Sequence, residues 1–197
     1  MNPATPDPYE ALRSLLLHPE AAGKMEVRGG KTDAAVLIPL FGWPDSPGLV
    51  FTERRADLRR HAGEISFPGG RRDPGEELIE TALREAEEEV GLAPSEVEVL
   101  GALPPVGTFV TGYKIHPFVG AIGTDAGSGL AANPDEVERI LRAGLGELTS
   151  TRTRRRVPQS RIPLRTDTFE AEGHLIWGAT ARILSHFFEA FEGKHSG

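Results

Sequence analysis

One segment of the 197-residue chain, residues 70–92 (GRRDPGEELIETALREAEEEVGL), constrains the fold more than any other. With about 100° of rotation per residue, its apolar residues fall on one arc of a helix, as expected for a face that packs on a core. These residues are Leu78, Ile79, Ala82, Leu83, Ala86 and Val90. Asp73 is expected to cap the start of the helix and Gly91 to end it. The segment therefore predicts an amphipathic helix with one buried side.

The same helix places carboxylates at the edge of its apolar face. Glu89 projects within the apolar arc, Glu85 lies one turn before it at the i, i+4 spacing, and Glu88 flanks Glu85. An acidic run is usually a solvated face, which explains Glu87 but not Glu89. A carboxylate turned toward an apolar surface is costly unless it is protonated, paired or bound to a cation. Since hard oxygen ligands suit Mg²⁺ or Mn²⁺, we expect a metal site here.

The spacing in this segment resembles the Nudix box, which is Gly, five residues, Glu, seven residues, then Arg-Glu-apolar-any-Glu-Glu-any-Gly-apolar. The chain matches all the specified positions, with Gly70, Glu76, Arg84, Glu85, Ala86, Glu88, Glu89, Gly91 and Leu92. The Nudix family hydrolyses nucleoside diphosphates linked to another moiety, at the pyrophosphate and with a divalent metal. The resemblance thus implies a metal-dependent diphosphatase with Mg²⁺ or Mn²⁺ as cofactor.

The family's functional residues carry over by position. The resemblance implies that Glu85, Glu88 and Glu89 are metal ligands and catalytic residues, one of which also orients or deprotonates water. It implies that Arg84 holds a catalytic glutamate by an ion pair, and that Glu76 and Gly70 shape the loop before the helix. The general base stays open, and Glu64 and Glu136 are further candidates for a contact to the metal or for the base.

The residues just upstream, VFTERRADLRRHAGEISFPGG (50–70), are similar to the signature of coenzyme A diphosphatases within the Nudix family. The matching residues are Thr52, Arg59, Gly63, Phe67, Pro68, Gly69 and Gly70. Residues 103–120 and 176–184 also look like this subfamily, so the likeness extends over residues 33–190. It implies cleavage of coenzyme A to 3′,5′-ADP and 4′-phosphopantetheine. The substrate-binding residues implied are Arg59, Gly63, Phe67, Gly69 and Gly70.

Coenzyme A is chemically consistent with the arginines of this stretch. It carries a 3′-phosphate besides its pyrophosphate, so a protein that binds it needs additional fixed positive charge. Arginines crowd the stretch before the box, and their planar guanidinium groups match phosphate oxygens. They are Arg54, Arg55, Arg59 and Arg60. We expect a role for Arg59 in particular, because it matches the signature.

The resemblance implies an α/β fold, a Nudix-type α/β/α sandwich with a mixed sheet and the Nudix loop–helix–loop. We expect an N-terminal arm with a short helix (residues 1–31), a single Nudix domain (residues 32–192) and a tail (residues 193–197). Alternating and continuous apolar runs predict strands at residues 34–41, 48–54, 96–103, 114–122 and 137–145. Helices are predicted at residues 9–17 and 175–191, and the arginine-rich run 151–156 is expected to be a solvated loop.

Composition excludes several classes of protein. The net charge of −7 argues against a nucleic-acid scaffold, and the absence of cysteine excludes thiol nucleophiles and disulfides. It also argues against isopentenyl diphosphate isomerases, which resemble this fold but use a cysteine in proton transfer. The apolar runs are too short to span a membrane and the N-terminus does not resemble a signal peptide, so a cytoplasmic enzyme is expected. We expect a small-molecule substrate of the coenzyme A class, without nucleic acid or membrane as partner; the sequence does not decide whether the chain forms a homodimer.

Two alternatives remain open at this point. The first keeps the reaction but changes the substrate to ADP-ribose, NADH or a nucleoside triphosphate. The second is a non-catalytic nucleotide sensor built on the same fold. Such a sensor tolerates loss of box carboxylates, whereas this chain retains Glu85, Glu88 and Glu89. Catalysis is therefore the preferred interpretation.

Overall fold

The computed structural model describes residues 7–57, 63–109, 111–123, 129–157 and 165–192. The helices described are α1 (Glu10–Arg13), α2 (Pro19–Gly23), α3 (Leu78–Val90), α4 (Leu145–Thr151) and α5 (Gly178–Glu192), with a 3₁₀ turn at Pro94–Glu96. The strands are β1 (Thr32–Phe41), β2 (Gly48–Arg54), β3 (Ile65–Ser66), β4 (Gly69–Arg71), β5 (Val97–Ala102), β6 (Val106–Gly107), β7 (Tyr113–Ile122), β8 (Val137–Gly144), β9 (Thr153–Arg156), β10 (Arg165–Ala171) and β11 (His174–Ile176).

The main sheet is mixed and lies between two helical layers. Strands β1 and β7 pair in parallel along their length, while β2, β4, β5, β6 and β8 pair antiparallel with their neighbours. Alternate residues of β1 face opposite sides, so Ala35 and Leu37 pack with α3 while Ile38 and Leu40 pack with α5. The expected α/β/α sandwich with a mixed sheet is therefore confirmed. A smaller sheet, in the order β11-β10-β9, packs against α5.

The central strands β1 and β2 separate along their length, which creates the place for the site. They pair only at Leu40 with Leu49 and Phe41 with Gly48. Beyond that point β3 pairs with the end of β2, and β4 pairs with the start of β1. The turn that joins β3 to β4 enters this gap, and the Leu37 N–H donates to the Pro68 carbonyl at 2.9 Å. The glycines at 69 and 70 are thus brought to the middle of the sheet, beneath α3.

Helix α3 has the predicted apolar face but begins at Leu78, later than it would with Asp73 as its N-cap. Glu77 is the N-cap, and its backbone N–H donates to the Glu80 carboxylate at 2.9 Å, a reciprocal cap that the E-x-x-E spacing permits. Gly91 ends the helix in the left-handed conformation with φ 69°, as expected. Asp73 instead donates its N–H to Glu76 at 3.1 Å within the preceding loop.

Three other expectations about secondary structure need correction. The helix expected at residues 9–17 is confined to α1 (Glu10–Arg13), and a second helix that was not expected, α2, begins beyond that range with Pro19 in its first turn. The final helix begins at Gly178 rather than at residue 175, since residues 174–176 form β11. The arginine-rich run is not a loop: Thr153–Arg156 pairs with β10 as a strand. The strand expected at residues 137–145 is present as β8.

The N-terminal arm packs on the domain. Leu12 is buried in the core, and Leu17 forms an isolated antiparallel bridge with Ala102 of β5. Among the described residues, no helix is both long and apolar enough to cross a membrane.

Candidate active site

Glu89 lies where the helical pattern placed it, on the sheet side of α3. Its side chain is nearly buried, with 6% of the residue exposed, and the backbone N–H of Gly69 donates to its Oε2 at 3.3 Å. Burial and then the charge of Glu85 raise the pKa of Glu89 to about 8, although the Gly69 hydrogen bond opposes this. Within the described residues no cation pairs with Glu89. The site therefore presents a nearly buried carboxylate that has no ion pair among the described residues, although the more distant charge of Arg54 opposes the rise in its pKa.

Arg84 forms hydrogen bonds with the other carboxylates of the box. Its Nη1 donates to Glu85 Oε1 at 2.9 Å and to Glu88 Oε2 at 3.0 Å, while its Nε donates to Glu76 Oε1 at 2.7 Å. Burial raises the pKa of Glu85, and the bond to Arg84 opposes that effect. Glu88 is the more solvated partner, with 57% of its side chain exposed. The ion pair that the resemblance implied for Arg84 is present, and it reaches two of the three box carboxylates.

Glu76 fixes the orientation of Arg84 from the loop before α3. Its carboxylate accepts the two bonds from Arg84, at 2.7 and 3.3 Å, one from Thr81 Oγ1 at 2.7 Å, and one from the Asp73 N–H at 3.1 Å. These bonds, chiefly the one from Arg84, lower the pKa of Glu76 to about 2. Thr81 was not anticipated as a site residue; its place on the helical wheel between Glu85 and Glu88 was the available signal, and the structure buries it fully.

The two glycines of β4 let the sheet approach α3 and its carboxylates closely. A Cβ on Gly69 would overlap the backbone of β1 at Ala35 and Val36. A Cβ on Gly70 would overlap the carboxylate of Glu85. Both residues therefore shape the carboxylate site itself, whereas the upstream signature implied contact with substrate.

Residues 131–136 form the opposite wall of the site. The Asn133 N–H donates to the Glu89 carbonyl at 2.9 Å, and the Ala131 N–H donates to the Val90 carbonyl at 3.0 Å. The segment brings Glu136 close enough for its charge to contribute to the raised pKa of both Glu85 and Glu89. Glu136 is half-exposed, and its Oε2 lies 3.4 Å from Arg54 Nη1. A fourth carboxylate thus faces the box carboxylates from across the cleft.

The structure describes two of the other substrate-binding residues that the signature implies, Phe67 and Gly63, and they have different environments. Phe67 is 2% exposed and stacks on Phe51 with ring centroids 4.7 Å apart, so its ring belongs to the core and not to a substrate surface. Gly63 has φ 70° and donates its N–H to the Arg54 carbonyl at 2.9 Å, which closes the end of the β2–β3 loop. Arg59 lies outside the described residues. The Glu64 carbonyl accepts from the Arg54 N–H at 3.1 Å.

The carboxylates are suited to a hard divalent cation. They are all oxygen donors, and a cation between Glu85 and Glu89 would remove the repulsion that their proximity creates. Within the described residues, no three acidic or histidine side chains are gathered closely enough to enclose a metal ion as they stand. Two of the three box carboxylates instead share the guanidinium of Arg84. Glu89 is therefore the box carboxylate most available to a cation, and Glu85 is the acidic neighbour whose charge acts on it most strongly.

Comparison with known proteins agrees with this geometry. The family model of the NUDIX domain matches residues 31–156. A protein described as "Uncharacterized Nudix hydrolase NudL", from Escherichia coli O7:K1, is 42% identical over 157 residues, covering 77% of this chain and 78% of that protein. The relative of the same description from Shigella boydii serotype 18 has the same identity and coverage.

Solved structures support the fold alone. A MutT/nudix family protein from Enterococcus faecalis is similar with a TM-score of 0.55 and 14% identity, covering 88% of this chain and 68% of that one. The MutT protein from Methanosarcina mazei Go1 has a TM-score of 0.54 and 16% identity, covering 87% of this chain and 100% of that one. With the carboxylates of residues 85–89, the glycine turn beneath them and these matches in place, the chain belongs to the Nudix family of hydrolases, which act on pyrophosphate bonds.

Proposed function

We propose that this Nudix hydrolase is a coenzyme A diphosphatase that cleaves the pyrophosphate of coenzyme A, or of its derivatives, to 3′,5′-ADP and 4′-phosphopantetheine. The observation that supports the hydrolytic part of this proposal is the environment of Glu89. Its carboxylate is nearly buried beside Glu85, lies over the glycines of β4, and has no ion-pair partner among the described residues. A carboxylate in such a place is stabilised by a bound cation.

The metal ligands in this proposal are Glu85, Glu88 and Glu89, with Mg²⁺ or Mn²⁺ as the cofactor. A divalent ion bound there would neutralise the pyrophosphate oxygens and acidify a coordinated water. Arg84 positions Glu85, and Glu76 in turn holds Arg84 through a bidentate contact. Glu88 is free to leave Arg84 for a metal because more than half of its side chain is solvated.

Proton acceptance from water is assigned to a carboxylate of the site. Glu89 and Glu136 are the candidates, since Glu136 faces the box carboxylates from the opposite wall. Glu136 is solvated and bonded to Arg54 at 3.4 Å, so it is able to reorient when substrate enters. Comparing Glu136→Gln with Glu89→Gln separates the two roles, because a base that is not a metal ligand lowers kcat without weakening Mn²⁺ binding.

The choice of coenzyme A depends on the signature that precedes the box. Its members Thr52, Phe67, Gly69 and Gly70 form one continuous support for the site: Thr52 Oγ1 contacts Ser66 on β3, and the turn after Ser66 leads to the glycines beneath Glu85 and Glu89. Arg59 remains the arginine proposed to contact substrate phosphate. We place the enzyme in the cytoplasm, where coenzyme A is used.

The experiment is an incubation of the purified protein and Mg²⁺ or Mn²⁺ with separate substrates, followed by mass spectrometry of the products. The substrates are coenzyme A, ADP-ribose, NADH and deoxynucleoside triphosphates, and Glu89→Gln is the control. Preferential release of 3′,5′-ADP from coenzyme A supports the proposal. If the enzyme prefers another substrate, the diphosphatase activity stands and coenzyme A is rejected as its substrate. If no substrate is hydrolysed, the result favours a nucleotide sensor.

A further inference from the structure

A second polar cleft lies outside the carboxylate site, between helix α5 and the β9–β10 strand pair. It has a volume of about 330 Å³. Arg154 and Arg165 line it from the strands, and Arg182, Ser185 and His186 line it from the helix. We call it the basic cleft. Its three guanidinium groups outnumber the two carboxylates that also line it, those of Asp167 and Glu189, in a chain whose net charge is −7.

The pairing of β9 with β10 brings like charges together. Arg156 lies directly opposite Arg165, and Arg154 lies directly opposite Asp167. Residues that face each other across two antiparallel strands share one side of the sheet, as do residues two apart on one strand. Arg154, Arg156 and Arg165 therefore occupy the same side. Like charges in directly opposite positions are destabilising unless an anion screens them.

The acidic residues at the basic cleft are already engaged. Asp167 Oδ2 accepts a hydrogen bond from Ser185 Oγ at 2.9 Å and lies 3.5 Å from Arg152 Nη2. Glu189 Oε1 lies 4.0 Å from the same Arg152 nitrogen.

The arginines of the basic cleft have no such partner. Across the described part of the chain, none of Arg154, Arg165 and Arg182 has a carboxylate within 4.0 Å. The connecting segment 158–164 contains no Asp or Glu. An anion that enters the basic cleft would therefore meet exposed guanidinium groups that no carboxylate of the described residues holds in an ion pair.

The donors around the basic cleft suit a phosphate group. Arg182 Nη1 donates to the Gly107 carbonyl at 2.8 Å, which fixes the guanidinium and leaves its other N–H groups available. His186 lines the same cleft. Guanidinium groups bind phosphate through paired N–H donors. We propose that the basic cleft binds a phosphate group, either of a phosphate monoester or of inorganic phosphate.

Helix α5 makes a contact with the strand that precedes the catalytic glycine turn. Thr180 Oγ1, in the first turn of α5, donates to the Ile65 carbonyl of β3 at 3.0 Å, and β3 leads into the glycine turn. Ser185 is five residues further along the helix, a rise of about 7.5 Å. Two sources of the phosphate are distinguished by experiment: the remote 3′-phosphate of the substrate, an assignment that rests on the proposed function, or a free phosphate anion.

The test compares Arg154→Gln with Arg155→Gln, which removes the same charge from the next residue of β9. Arg155 points to the other side of the strand pair and lies 3.3 Å from Glu170. Inorganic phosphate is titrated into the metal-free proteins by calorimetry. We expect Arg154→Gln to weaken phosphate binding by about tenfold, since it removes a charge-assisted contact. Arg155→Gln and the wild type should bind phosphate equally and unfold at the same temperature as Arg154→Gln.

Steady-state kinetics then identify the source. If the substrate supplies the phosphate, Arg154→Gln raises KM about tenfold for coenzyme A and leaves KM unchanged for coenzyme A that lacks the 3′-phosphate. If the phosphate is a free anion, binding of inorganic phosphate is weakened while both KM values stay at the wild-type level. Equal phosphate binding and equal KM values in both variants overturn the proposal. If the wild type does not hydrolyse coenzyme A, the proposed function fails, and the phosphate titration alone decides the basic cleft.

Discussion

Replacing Gly70 by Ala tests whether the glycine turn positions a catalytic carboxylate. The added Cβ would overlap the carboxylate of Glu85, which therefore has to move. Gly70 does not have a positive φ, so alanine meets no backbone strain there. The atoms in the way are at the flexible end of a side chain, so the fold is retained while Glu85 is displaced.

The two consequences differ strongly in size. Displacing Glu85 breaks its 2.9 Å ion pair with Arg84, a partly solvated contact that contributes ~1 kcal/mol or less. The loss of chain entropy in the unfolded state offsets ~0.4–1 kcal/mol of this for a Gly-to-Ala change. We therefore expect the free energy of unfolding to change by less than ~1 kcal/mol. A shift of about 1 Å in a catalytic group lowers kcat by roughly 100-fold.

The assay measures kcat and KM with Mg²⁺ and, on the same samples, urea unfolding. Gly146→Ala is the matched control, because Gly146 lies in α4 and an added Cβ there has no atom within 4 Å. It should retain full activity. Wild-type kcat in Gly70→Ala would show that Glu85 does not need its observed position. A large loss of stability would show that the glycine serves the fold rather than the site.

Three further predictions follow from the charges of the site. Glu76→Gln should lower the free energy of unfolding at pH 7 by ~1–2 kcal/mol, because ionised Glu76 is stabilised by Arg84. In urea unfolding, the difference from the wild type should shrink as the pH falls from about 4.5 to about 2. Glu89→Gln should remove most activity and still fold. Because folding raises the pKa of Glu89, the metal-free wild type should lose stability as the pH rises from 4.5 to about 8, and Glu89→Gln should not show this loss in urea unfolding. Arg84→Lys should lower kcat by roughly 10- to 100-fold with a smaller change in KM, because lysine does not bridge Glu76 and Glu85 with a planar fork; unchanged kinetics would remove the positioning role.

The catalytic helix could be predicted from the sequence because its information is local. The 3.6-residue period placed Glu89 on the buried side of α3, and the structure finds it 6% exposed. The ion pair of Arg84 with Glu85 was implied by the resemblance and joins adjacent residues of one helix. The sequence indicates Asp73 as the N-cap, whereas the structure has Glu77 at that position. Several acidic residues lie near this end of the helix, and the conformation of the preceding loop determines which of them is the N-cap.

The features that were missed depend on contacts between distant parts of the chain. Phe67 matches a substrate signature, but its partner Phe51 on β2 makes it a core residue. The run 151–156 has the composition of a solvated loop, yet pairing with β10 makes four of its residues a strand. The gap between β1 and β2 that receives the turn before Gly69 also arises from strand pairing, which composition does not specify.

The central claim is that Glu89 becomes a metal ligand by losing a proton, and proton release on metal binding tests it most directly. With a pKa of about 8, Glu89 is mostly protonated at pH 7 in the metal-free protein. Mn²⁺ is titrated at pH 7 in buffers of different ionisation enthalpy, so that calorimetry counts the protons released. The account predicts that the wild type releases most of one proton at pH 7 and little at pH 9, and that Glu89→Gln releases markedly less than the wild type at pH 7. Equal proton release from wild type and Glu89→Gln at pH 7 would contradict it.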